Sequence, residues 1–137
     1  MSAFNRDYNF GIAQENTLLP KLSAFFGETL VKTSKLCKWD FESVSTVYEM
    51  KSRNNTYNAY PTTLLPFDKI VTDKKQVFIF NFQDNVYYIE YSKSLFDSFE
   101  LKDFRRFRAG VNDKKKLYLH IPITALKKID LPEQVQG

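Results

Sequence analysis

The chain has a single cysteine, a single histidine, four glycines and no apolar run long enough to span a bilayer. One cysteine excludes an intramolecular disulfide and a cysteine-rich zinc site. One histidine, His120, leaves little for Ser-His-Asp catalysis or histidine-based zinc chemistry. In "YLHIPI" it shares a strand face with Tyr118 and Pro122 and reads as structural. Few glycines and five prolines exclude collagen-like and linker-like composition, and no G-x-x-x-x-G-K phosphate loop occurs. Residues 1–7 lack the apolar stretch of a secretory leader, so the expectation is an intracellular protein of cytoplasm, nucleus or virus particle, not a secreted one.

What is present is aromatic. Thirteen Phe and eight Tyr in 137 residues supply a core for one domain, expected over 1–137 with flexible ends at 1–8 and 131–137. Net charge is only +4, but its placement is uneven. Residues 101–128 hold nine Lys or Arg against Asp103 and Asp113, a local +7 that leaves −3 for the rest. Such a segment offers a footprint for phosphate, or simply a solvated basic face.

Residues 12–26 have apolar positions at helical spacing through Leu18, Leu19, Leu22, Phe25 and Phe26, with Gly27 as a stop. Pro20 requires either a start near Thr17 or an earlier start with a kink. Residues 29–33, 37–41 and 44–51 read as three strands, and 52–61 as a loop. Residues 62–71 read as a short helical segment broken by Pro66. "QVFIFNF" and "VYYIEYS" form a hairpin around Gln83, Asp84 and Asn85, with Tyr87 or Tyr88 free to face a partner. Residues 94–107 read as partly helical, 116–123 as a last strand, and 124–129 as a closing turn. The fold class expected is α/β (α+β), a mixed central sheet flanked by helices.

Alternation puts Glu49 and Lys51 on one face of the third strand, ~7 Å apart. A short hairpin brings Asp40 beside Glu49. Two carboxylates at one spot raise each other's pKa, and a divalent cation removes the conflict. Oxygen ligands suit Mg²⁺ or Mn²⁺. A lysine beside them can orient water and stabilise charge on phosphate. The plainer reading of Glu49 and Lys51 is a surface ion pair worth ~0–1 kcal/mol.

Asp40 followed by Glu49-Met50-Lys51 resembles the signature of the PD-(D/E)xK superfamily, the restriction-endonuclease-like nucleases. The order of a helix, a three-stranded meander, then helix and strand also fits. Trp39 stands where the name-giving proline would. The resemblance implies a restriction-endonuclease-like core and Mg²⁺- or Mn²⁺-dependent hydrolysis of DNA, more than RNA, with low or structure-based specificity. It implies metal binding by Asp40 and Glu49, and water positioning by Lys51. A further glutamate from the first helix maps to Glu15, with Glu28 as the alternative. The small size is similar to Holliday-junction resolvases and viral or phage-type nucleases, which implies a homodimer; no membrane partner is expected, since no apolar run spans a bilayer.

Phosphate contacts are expected from Arg53, Lys69, Tyr60, Thr62 and Thr63, and from Arg105, Arg106, Lys114, Lys115 and Lys116. For Lys69, solvent exposure is the stronger expectation. Two other functions fit the sequence: a non-catalytic nucleic-acid-binding or assembly protein on the same fold, and an α+β interaction protein using its tyrosine-rich hairpin.

Overall fold

A computed structural model describes residues 3–34, 37, 39–70, 73–104 and 116–130. Side chains are described from Glu15 onward, except those of Asp103, Phe104 and Lys116. Arg105, Arg106, Lys114 and Lys115 lie outside the described residues, as does the expected flexible end at 131–137, whereas residues 3–8 of the other expected flexible end are helical.

The first element is helix α1, Ala3–Phe26, with Pro20 inside it. It starts earlier than the sequence pattern requires and runs through the proline. Gly27 ends it at φ 69°, the left-handed region that favours glycine. The Glu28 N–H then donates to Ser23 O at 3.3 Å, closing the helix end.

Strands β1 (Val31–Lys32), β2 (Phe41–Glu42) and β3 (Thr46–Ser52) form the antiparallel meander expected from the sequence. β4 (Thr62–Pro66) leaves this sheet, followed by a 3₁₀ turn at Phe67–Lys69. The chain returns as β5 (Lys75–Asn81), parallel to β3, and turns back as β6 (Val86–Glu90). A one-turn helix α2 (Lys93–Phe96), capped by Ser92, precedes β7 (Glu100–Phe104) and β8 (Lys116–Pro122). β9 (Lys127–Lys128) closes on β6.

The result is a mixed α/β protein with two sheets. One has six strands in the order β1-β2-β3-β5-β6-β9, and the other has three, β4-β8-β7. α1 covers one face of the large sheet, where Leu18, Leu22, Phe41, Tyr48, Met50, Val77 and Ile79 form a core. The small sheet covers the other face, over Phe78, Phe80, Phe82, Ile89, Leu119 and Ile121. The sequence expectation was a central sheet flanked by helices, with residues 62–71 as a short helical segment. Residues 62–66 instead bury Thr63 and Leu65 at the strand period, and β8 buries Leu119 and Ile121 likewise.

The hairpin β5–β6 is central, and both tyrosines offered as free are occupied. Tyr87 stacks on Tyr57 at 4.0 Å, and Tyr88 packs edge-on against Phe25 and Phe26. No described helix is long and apolar enough to cross a membrane.

Candidate active site

β3 is pleated, so its two faces do different work. Tyr48 and Met50 enter the core beneath α1. Glu49 and Lys51 take the opposite face, in register with Phe78 and Phe80 of β5. Glu49 is 3% exposed. A carboxylate so buried needs cationic partners. It has two: Lys51 Nζ at 3.1 Å and Lys69 Nζ at 3.4 Å, both to Oε1. Its other oxygen, Oε2, is buried with no hydrogen-bond partner.

Asp40 reaches the same place from the bend before β2. Its N–H donates to Tyr48 O at 2.9 Å, and its Oδ2 accepts from the Met50 N–H at 2.8 Å. The carbonyl of Asp40 accepts from the Thr33 N–H at 3.0 Å. The chain is thus pinned at Asp40 between β1 and β3, beside Glu49.

Glu15 arrives from α1. It stands i−3, i−4 and i−7 to Leu18, Leu19 and Leu22, the helix face that packs on the sheet. Burial, then the Asp40 charge and a side-chain hydrogen bond with Asp40, push its carboxyl up to about 7. Lys32 opposes this from 3.8 Å. Glu49 is also pushed up, by burial first and by Asp40 second, against the pull of Lys51 and Lys69. Each carboxylate therefore registers its neighbours. The alternative Glu28 has a different task. It accepts from Ser43 Oγ (2.9 Å), Ser45 Oγ (2.6 Å) and Tyr48 OH (2.8 Å), which hold it below the usual range.

The structure places Glu15, Asp40, Glu49 and Lys51 within electrostatic reach of one another. It adds Lys32, which the sequence did not point to, and sets Lys69 on Glu49. Lys69 was a candidate phosphate contact with solvent exposure as the stronger expectation, but the 3₁₀ turn after β4 folds it onto Glu49. Lys32 joins because β1 runs beside β2, setting it opposite Phe41 and next to Asp40. It also donates to Asn16 Oδ1 at 3.0 Å. Neither carries a local sequence signal.

As the side chains stand, no group of three or more described His, Cys, Asp or Glu residues is arranged to hold a metal ion. Ammonium groups lie on Glu49 and Glu15, and one Asp40 oxygen is engaged by backbone.

Beyond Lys51, the strand face continues to Arg53. Its N–H donates to Asn81 O at 2.9 Å, extending the ladder to β5, and its guanidinium lies over the Phe80 ring at 5.8 Å. Arg53, Asn55, Tyr60, Thr62, Thr63, Leu64 and His120 line a cleft of about 320 Å³. Four residues singled out in the sequence thus meet in one place. His120, read from sequence as structural, joins them from β8, which pairs with β4.

Of the basic segment, the described side chains are those of Lys102, Lys127 and Lys128. Lys102 pairs with Glu100 at 3.0 Å, and Lys127 and Lys128 are exposed on β9, three strands from β3. The Lys116 side chain is not among those described. Trp39 is half-buried, its ring beneath Lys74 Nζ at 5.1 Å. Set against known proteins, the chain matches no family model, no curated protein and no solved structure.

Proposed function

We propose that this chain is a metal-dependent nuclease with a restriction-endonuclease-like core, hydrolysing phosphodiester bonds in DNA. One observation carries the reading. Three carboxylates from three separate elements converge, and burial and mutual repulsion raise two of them. Evolving such a cluster for stability alone is costly, because like charges at short range disfavour the ionised fold. Perturbed carboxylates beside a lysine support a functional reading of the cluster.

The donor set fits Mg²⁺ or Mn²⁺, since Glu15, Asp40 and Glu49 offer only oxygen and Glu49 Oε2 has no partner. Those three residues would hold the ion, which supplies polarisation of a phosphoryl oxygen and acidification of a bound water. Lys51 then orients the attacking water and meets the charge growing on phosphate. Lys69 supplies a second ammonium on the same carboxylate and biases Glu49 toward its ionised form. Arg53 follows Lys51 along the strand face and contacts the phosphate next to the reacting one.

The test is cleavage of supercoiled, single-stranded and four-way-junction DNA with Mg²⁺, Mn²⁺ or EDTA. Wild type cuts with metal, and Glu49→Ala and Lys51→Ala do not. Variants that cut as well as wild type would remove these residues from the mechanism.

A second reading has its own observation. Glu15 and Glu49 already have ammonium partners, as in a non-catalytic nucleic-acid-binding protein whose cluster is an internal ion-pair network. In that case metal changes neither stability nor DNA integrity.

A further inference from the structure

The cleft at the end of β3 has a composition that the carboxylate site does not explain. It contains a guanidinium, an imidazole, an amide and three hydroxyls, and no acidic side chain. Arg53 is held in its wall by donation from Nη2 to Leu64 O. Among the described residues no carboxylate pairs with it. Burial lowers its pKa, the mark of a cation short of anionic company. Its Nε and the Nε2 of His120 are both buried without a hydrogen-bond partner. Two such atoms in one wall are unusual, because buried polar groups are normally paired. The guanidinium is the one charged group in this lining, and an anion is its natural partner.

Size and shape narrow the anion. A volume of about 320 Å³ is at the small end of ligand pockets. It exceeds the need of a phosphate alone. At the rim stands Tyr60, 62% exposed, an aromatic ring with no packing partner among the ring contacts of the described residues. An exposed tyrosine beside an arginine is a stacking platform for a base. A duplex presents a convex backbone with its bases inside. A concave cleft with a ring at its lip suits a nucleotide that has left the stack.

We infer that this cleft is a nucleotide pocket that receives one unit of an unpaired strand, its phosphate toward Arg53 and Thr62 and its base on Tyr60. The inference rests on the nuclease reading for its substrate class and specifies it further. Arg53 lies ~7 Å along the strand from Lys51, so the pocketed nucleotide adjoins the reacting phosphate. The preferred substrate is therefore a single strand, a frayed end or an unpaired junction arm.

The chain's only histidine is in the pocket, so its ring signals in a proton–carbon NMR spectrum report occupancy without ambiguity. Thymidine 5′-monophosphate, titrated in EDTA, should move the His120 signals saturably. Thymidine and inorganic phosphate should each do so at least about ten-fold more weakly. Tyr60→Ala changes an exposed side chain and should leave folding intact. It should weaken binding of an unpaired oligonucleotide about ten-fold or more, as loss of one base stack does, and leave duplex binding unchanged. Unmoved His120 signals would overturn the pocket. So would a Tyr60→Ala variant that binds unpaired strands as wild type does, or duplex bound as tightly as single strand. Because no metal is present, the outcome is separate from the cleavage test: a pocket without cleavage removes the nuclease, and cleavage without Tyr60-dependent binding removes the pocket.

Discussion

Lys69 Nζ lies 3.4 Å from Glu49 Oε1, and this contact ties the turn after β4 to the centre of the large sheet. Lys69 is held there by its own backbone, because the Lys69 carbonyl accepts from buried Gln76 Nε2 at 2.7 Å. Lys51 reaches the same oxygen from 3.1 Å. The two ammonium groups are not equivalent. Lys51 shares a strand with Glu49, whereas Lys69 depends on the crossover. Lys51→Ala should lower kcat by about 10²–10⁴-fold, the range of a lost proton-handling group. Lys69→Ala should cost roughly ten-fold and leave the metal requirement in place. Steady-state cleavage rates check both. Equal losses, or none at Lys69, would contradict the division.

Stability should fall as pH rises from about 4.5 to about 7. Glu15 carries its proton up to about 7 in the folded protein, against an ordinary value of 4.5. In that window the folded chain binds more protons than the unfolded one, so the slope of stability with pH is negative. Glu49 is raised and contributes with the same sign. Glu28 is lowered, so its contribution is lost only below about 4.5, outside the window. Urea midpoints at pH 5 and pH 7.5 measure the slope. Glu15→Gln should flatten it. A wild-type protein more stable at pH 7.5, with no change on Glu15→Gln, would refute the coupling.

A divalent cation should reverse this loss. On the proposed reading it would take the place of the proton among Glu15, Asp40 and Glu49 and would compete with Lys32 and Lys51. Mg²⁺ should therefore raise Tm by several degrees at pH 8 and by much less at pH 5.5. Binding at a hundred times Kd corresponds to about 2.7 kcal/mol. EDTA should remove the shift, and Glu49→Gln should abolish it. A shift equal at both pH values would place the ion elsewhere.

The parts of this site visible in the sequence are those with a local signature. Glu49 and Lys51 share a face because a strand alternates, and "VSTVYEMK" reads as a strand. Glu15 is marked by its spacing to Leu18, Leu19 and Leu22. The hairpin of β5 and β6 has period two in both arms. Of the small sheet, β8 was legible as a strand over 116–123, but its neighbours β4 and β7 were hidden. "TTLLP" is five residues with a terminal proline, too short for period two to outweigh helical spacing. The Phe96 and Phe99 spacing is helical, yet α2 stops after four residues and the chain extends into β7. Lys32 reaches its place through the pairing of β1 with β2, Lys69 through the turn after β4, and His120 through the pairing of β4 with β8. Nothing in their neighbours encodes that.

Asp40 separates structure from chemistry in a single residue. Its Oδ2 accepts the Met50 N–H at 2.8 Å, inside the ladder that carries Glu49 and Lys51. An asparagine keeps an oxygen for that N–H and removes the charge. An alanine removes both and leaves a buried donor unpaired, at a cost of about 1–3 kcal/mol. Asp40→Asn should therefore fold with near wild-type stability and lose the metal-dependent Tm shift and cleavage. It should also lower the pKa of Glu15, since the Asp40 charge is one cause of its rise. Asp40→Ala should be destabilised as well as inactive. Denaturant midpoints and metal titrations on the pair give the outcome. If Asp40→Asn binds metal as wild type does, Asp40 is a strut for β3 and the ion-binding role passes to Glu15 and Glu49 alone.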